Sequence, residues 1–192
     1  MLTDEQIYQN KMKYLELLSK LGVDITELVR YLDSIDYFNK PASTQYFRAY
    51  PGGLCQYALD LYYELGQLVG AYDSAKRYTV EDVIKVALLK DLYRAELYES
   101  YDKNVKNPDT GKWESVQAYR YKENRPTFGS IEFNSYMIAK YFVEFTDDQI
   151  EAITQSGAND QYGGDIYEIM RSFPLVTLTK MADLAACYLG ER

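Results

Sequence analysis

A helical apolar stripe broken at its centre by two charges constrains this chain more than any other feature. Val83, Val86, Ala87, Leu89 and Leu92 recur at the spacing of one buried helix face. Lys90 and Asp91 fall inside that stripe. A buried carboxylate is costly unless a cation or a metal answers it. Whatever fold forms must therefore bring positive charge to Asp91. Thr79 and Asp82 form a capping box ahead of this helix, which the pattern extends to about Ser100.

The flanking chain also reads as helix. Thr3 and Gln6 form a capping box, and Ile7, Tyr14, Leu18 and Leu21 share one face before Gly22. Asp24 can cap a helix near Ile25–Leu32. Pro51-Gly52-Gly53 is a sharp turn, followed by a stripe from Leu54 to Leu68 that ends near Gly70. Asn107-Pro108-Asp109-Thr110-Gly111 is the clearest turn signal, and Trp113, Val116, Tyr119 and Tyr121 suggest a hairpin across it. Helices are predicted near Ile131–Glu144, after the Thr146/Gln149 box, at Tyr167–Arg171, and from Pro174 to Leu189.

At 192 residues and 47% hydrophobic composition, the chain reads as one mainly α domain spanning 1–192. Residues 1–24 form an N-terminal helical extension and about 104–122 a β-hairpin insertion. A net charge of -8 opposes binding to a nucleic-acid backbone, which needs clustered cations. No apolar run reaches membrane-spanning length, so no membrane partner is expected. The first residues carry no secretory pattern, and Cys55 and Cys187 lie apart in apolar surroundings. Together these predict a cytoplasmic protein with reduced, buried thiols.

Five segments in order carry a resemblance. They are Pro41-Ala42-Ser43-Thr44, Gly52-Gly53-Leu54, Ala87-Leu88-Leu89-Lys90-Asp91-Leu92, the hairpin around Asn104–Trp113 with Phe128-Gly129 beyond it, and Pro174-Leu175 with Lys180 and Asp183-Leu184. Over roughly residues 25–190 the chain resembles the HD-domain phosphohydrolases, most of all a small branch common in phage and prophage genomes. The resemblance implies a helical bundle that binds metal through His and Asp, and a host-cell cytoplasm if the chain is phage-encoded. Yet the chain contains no histidine. The family's metal-binding histidines fall on Tyr57, Lys90, Ser130 and about Ser156, and others on Phe47 and Lys180. Asp91 and Asp183 stand unchanged.

This departure argues against the family chemistry. A lysine about 4 Å from a divalent ion is repelled by roughly 8 kcal/mol at an effective dielectric near 20. Two carboxylates do not offset that easily. The expectation is a chain with no metal, no cofactor and no catalytic residue, in which Lys90, Asp91, Lys180 and Asp183 form an internal ion-pair cluster. A Ser-His-Asp or Cys-His arrangement is excluded by composition.

Two function classes follow. The first is a pseudoenzyme that holds a nucleotide or phosphate without hydrolysis, for instance to sequester a host signalling nucleotide. Lys90, Arg94 and Lys180 would supply charge beside Asp91, Asp183 and Ser130. Arg48, Arg120 and Arg125 would close over the ligand, and Tyr57, Tyr93, Tyr119 or Tyr121 would stack a base. The second is a protein-interaction module: an anti-defence inhibitor, a virion component or a homo-oligomer. Its surface would draw on Tyr8, Tyr14, Tyr31, Tyr37, Tyr62 and Tyr63. An open basic pocket favours the first class, and a centre filled by Tyr57 favours the second.

Overall fold

A computed structural model describes residues 1–124, 129–157 and 166–189. The chain is mainly α-helical with one antiparallel hairpin. Helix α1 spans Asp4–Ser19, α2 Thr26–Ser34, α3 Gly53–Tyr72 and α4 Val80–Leu89. A short turn of helix α5, Arg94–Leu97, leads directly into β1, Tyr98–Lys106, which pairs with β2, Trp113–Tyr121. Helices α6 (Ile131–Ala139), α7 (Asp147–Gln155), α8 (Ile166–Ser172) and α9 (Pro174–Tyr188) complete it. None of the described helices is long and apolar enough to cross a membrane.

Three of these helices begin at capping boxes visible in the sequence. The Thr3, Thr79 and Thr146 hydroxyls each accept the backbone N–H three residues on, and the side chains of Gln6, Asp82 and Gln149 reciprocate. Asp24 accepts the Thr26 N–H at 2.9 Å ahead of α2.

Helix α3 is the central post, packed against α9, α4 and α1. Leu54, Leu61 and Leu65 on it are fully buried, together with Ile84, Leu88 and Leu89 of α4 and Leu175, Ala182 and Ala186 of α9. Helix α1 joins the same core through Tyr14, Leu17 and Leu18, and the Tyr14 hydroxyl donates to the Leu88 carbonyl at 2.6 Å. Tyr14 and Tyr37 are therefore core residues packed edge-to-face against Phe38, not the interaction surface their amphipathic rings suggested. Tyr8 and Tyr63 are exposed as expected.

The helix expected to run from Thr79 to Ser100 stops at Leu89. Lys90 caps it, a turn follows, and Tyr98 already begins a strand. The hairpin is thus longer than expected, starting at Tyr98. Its base is fixed by non-local pairs: the rings of Tyr98 and Tyr121 meet at 5.1 Å, and Arg120 bridges to Glu99 at 2.8 Å. At the tip, the Asn107 side chain accepts the Asp109 and Thr110 N–H groups, and Gly111 takes a positive φ. Helix α6 also ends early, at Ala139 rather than Glu144. The expected loop from Gln155 to Gly164 lies largely outside the described residues.

Candidate functional site

The charged pair in the apolar stripe is buried, and the fold answers it from three other elements. Lys90 is 1% exposed and Asp91 3%. Helix α3 contributes Tyr57, which is fully buried. Helix α5 contributes its first residue, Arg94, three residues beyond Asp91, and α9 contributes Asp183.

The Lys90 ammonium has three N–H donors and three acceptors. Its Nζ lies 2.7 Å from Asp91 Oδ2, 3.3 Å from Asp183 Oδ1 and 3.3 Å from the Tyr57 hydroxyl. Arg94 Nε donates to the other Asp91 oxygen at 2.6 Å. The Tyr57 hydroxyl has one proton to give. It donates to Asp183 in the closer contact, and its oxygen lies 3.1 Å from Asp91 Oδ2. Two cations face two carboxylates, so the formal charges balance.

The electrostatics are consistent with this closed set. Burial works against ionisation of Asp91, but Arg94 and then Lys90 outweigh it and hold the carboxyl well below its usual range. Burial likewise opposes the Lys90 ammonium, and Asp91 and Asp183 more than reverse it. Burial, followed by the same two carboxylates, pushes the Tyr57 phenol far up, so it stays a neutral hydrogen-bond donor. Burial pushes both the Cys55 and Cys187 thiols up to about 12, which leaves neither as a ready nucleophile.

A divalent metal does not fit these donors. Lys90 Nζ stands within hydrogen-bond reach of both carboxylates that would hold one. Among the described residues, no three His, Cys, Asp or Glu side chains form a metal-ligand group.

The remaining expected site residues are dispersed. Lys180 sends its ammonium to the Ser156 carbonyl at 3.0 Å, at the C-terminal end of α7, where a cation complements the helix dipole. The expected i,i+3 partnership with Asp183 is replaced by this cap, and Arg94 takes the place assigned to Lys180. Ser130 is the N-cap of α6, accepting the Phe133 N–H at 3.0 Å. Arg48 is 1% exposed and serves the core: it donates to the Ala186 carbonyl at 2.6 Å and to Asp60 at 2.7 Å. It does not flank an open pocket. Arg120 lies on the hairpin, paired with Glu99. Arg125 lies outside the described residues. Of the four candidate stacking rings, Tyr57 and Tyr93 are buried, and only Tyr119 and Tyr121 reach solvent.

The turn Gly52-Gly53 does not offer a free anion cradle. The Gly53 N–H donates to the Tyr50 carbonyl at 3.0 Å and the Leu54 N–H to the Lys40 carbonyl at 2.9 Å.

Sequence reasoning missed an apolar groove of about 490 Å³ lined by Tyr31, Tyr93, Met137, Ile138, Tyr141 and Phe142. Tyr31 anchors it by donating to Glu96 at 2.6 Å. The partial apolar face of α6 was the available signal. The Asp91–Arg94 spacing was likewise the signal for the second cation.

No protein-family model, curated protein or solved structure matches this chain.

Proposed function

We propose that the chain is a diverged HD-type helical domain that acts by binding a protein, its former metal centre having become an internal ion-pair core. The observation that carries this reading is the Lys90 ammonium, buried and hydrogen-bonded to Asp91, Asp183 and Tyr57. Positions 57, 90, 91 and 183 are four of the six the HD resemblance assigns to metal binding, and they meet at one point; Ser130 and Ser156 cap α6 and α7 instead. That convergence supports the ancestry. The identity of the groups supports the loss of its chemistry, since a cation sits where a metal's charge would be needed.

The same geometry weakens the nucleotide reading. Each Lys90 donor is committed inside the protein, and Tyr57 fills the centre. The cavities at Asp4–Asn39, at the hairpin base and along α6 are not lined by Lys90 or Asp91. The groove along α6 has the Tyr, Met and Phe lining typical of interface cores.

A thermal-shift panel of mono-, di- and cyclic nucleotides, run in EDTA and in Mn²⁺, tests the choice. A ligand at 100 times its Kd stabilises by about 2.7 kcal/mol. The interaction reading expects no member of the panel to raise Tm. A rise with one nucleotide class that persists in EDTA overturns it and restores the nucleotide binder.

A further inference from the structure

The hairpin presents an edge that matches itself. Two-stranded hairpins are marginal in water without further cover. Here β1 and β2 pair over nine residues each, and no other strand among the described residues joins them. Seven of the nine β2 residues are exposed. Trp113 is 70% exposed and Tyr121 43%.

The register fixes which backbone groups face out. Asn107 donates to Lys112 at 2.8 Å at the tip, and Lys122 donates to Leu97 at 2.9 Å at the base. Bonded pairs alternate along an antiparallel ladder. Residues 114, 116, 118 and 120 therefore bond to β1. Trp113, Ser115, Gln117, Tyr119 and Tyr121 turn their N–H and C=O groups away from it.

We propose that β2 is a homodimerisation edge: two copies pair their β2 strands antiparallel about a twofold axis through Gln117, making a continuous four-stranded sheet. This names one partner for the interaction reading above, but its argument rests on the hairpin and not on the ion-pair core.

Charge complementarity selects this occupant. About that axis, Trp113 lies opposite Tyr121, Glu114 opposite Arg120, Ser115 opposite Tyr119 and Val116 opposite Ala118. The outward backbone groups of Ser115, Gln117 and Tyr119 each find a partner, giving about six inter-chain bonds among them. The Glu114–Arg120 pairs fall at the non-bonded positions, where side chains approach most closely. Arg120 already bridges to Glu99 within its own chain, so each half carries a Glu99–Arg120–Glu114 ladder across three strands. The other edge lacks this match. Pairing β1 with itself over its full length sets Asp102 against Asp102, and its Lys103 and Lys106 are the charges that commonly guard an edge.

Sedimentation of the full chain over a concentration series tests the proposal. A dimer is expected by about 100 μM, the range of a modest strand-edge contact. Gln117→Pro removes an outward donor at the axis and no β1 bond, so it yields a monomer with unchanged far-UV circular dichroism. Glu114→Arg and Arg120→Glu each set like charges opposite one another twice and weaken the dimer roughly tenfold or more. Mixed together, these two variants pair Arg with Glu at all four positions and recover the dimer. A wild-type chain that stays monomeric overturns the proposal. So does a dimer that survives Gln117→Pro, or charge variants that gain nothing on mixing. None of these results bears on the nucleotide panel, so the two readings fail separately.

Discussion

Asp91→Ala is expected to destabilise the protein by about 3–5 kcal/mol, the cost of stranding buried charge. The substitution removes the carboxylate that accepts from both Lys90 and Arg94. Lys90 then keeps Asp183 as its ion-pair partner at 3.3 Å while Arg94 loses its carboxylate, and Asp183 is the more exposed of the two acids, at 24% against 3%. The stranded charge drags water into the core, which costs stability. Asp183→Ala should therefore cost less than Asp91→Ala. Urea unfolding of the two variants checks the order. Equal small losses would mean that the cluster is solvated and that its charges are not interdependent.

Gly53→Ala is the second large effect, about 3 kcal/mol or more, and its cause is steric. A Cβ at Gly53 drives into the backbone carbonyl oxygen of Arg48, which cannot swing aside as a side chain would. That carbonyl also accepts the Ala42 N–H at 3.1 Å, and Arg48 itself holds a positive φ of 43°. Relief would displace the buried guanidinium from Asp60 and Ala186. Gly66→Ala serves as the control, because a Cβ there meets nothing within 4 Å and should be neutral to slightly stabilising. Thermal unfolding of both variants reads the contrast. A folded, fully stable Gly53→Ala protein would show that the close approach of the turn to α3 is not required.

Local signals were legible and non-local ones were not. The three capping boxes and Pro174 announce their helices because the cap and its partner lie within one turn of chain. The end of α4 was hidden. Residues 83–97 keep a helical apolar spacing, and what starts the strand at Tyr98 is its pairing with Tyr121, more than twenty residues away. The site followed the same division. The interrupted stripe marked Lys90 and Asp91 as needing an answer, and the resemblance pointed to Tyr57 and Asp183. The choice between Lys180 and Arg94 as second cation was not legible. Both sit three residues from an aspartate, and the position of the α7 terminus draws Lys180 away. Tyrosine burial was equally opaque, since one ring serves a core such as Tyr14's or a surface such as Tyr63's.

The proposed conversion of a metal centre into the Lys90–Tyr57 core is tested most directly by Mn²⁺ titration of the Tyr57→His/Lys90→His variant against the wild type, read by thermal unfolding after EDTA treatment. The double variant offers two imidazoles beside Asp91 and Asp183 and removes the Lys90 ammonium, while Arg94 stays on the far oxygen of Asp91. Mn²⁺ at 100 times its Kd is then expected to stabilise it by about 2.7 kcal/mol, with no shift in the wild type. A wild-type protein stabilised by Mn²⁺, or a folded double variant indifferent to it, would contradict the account.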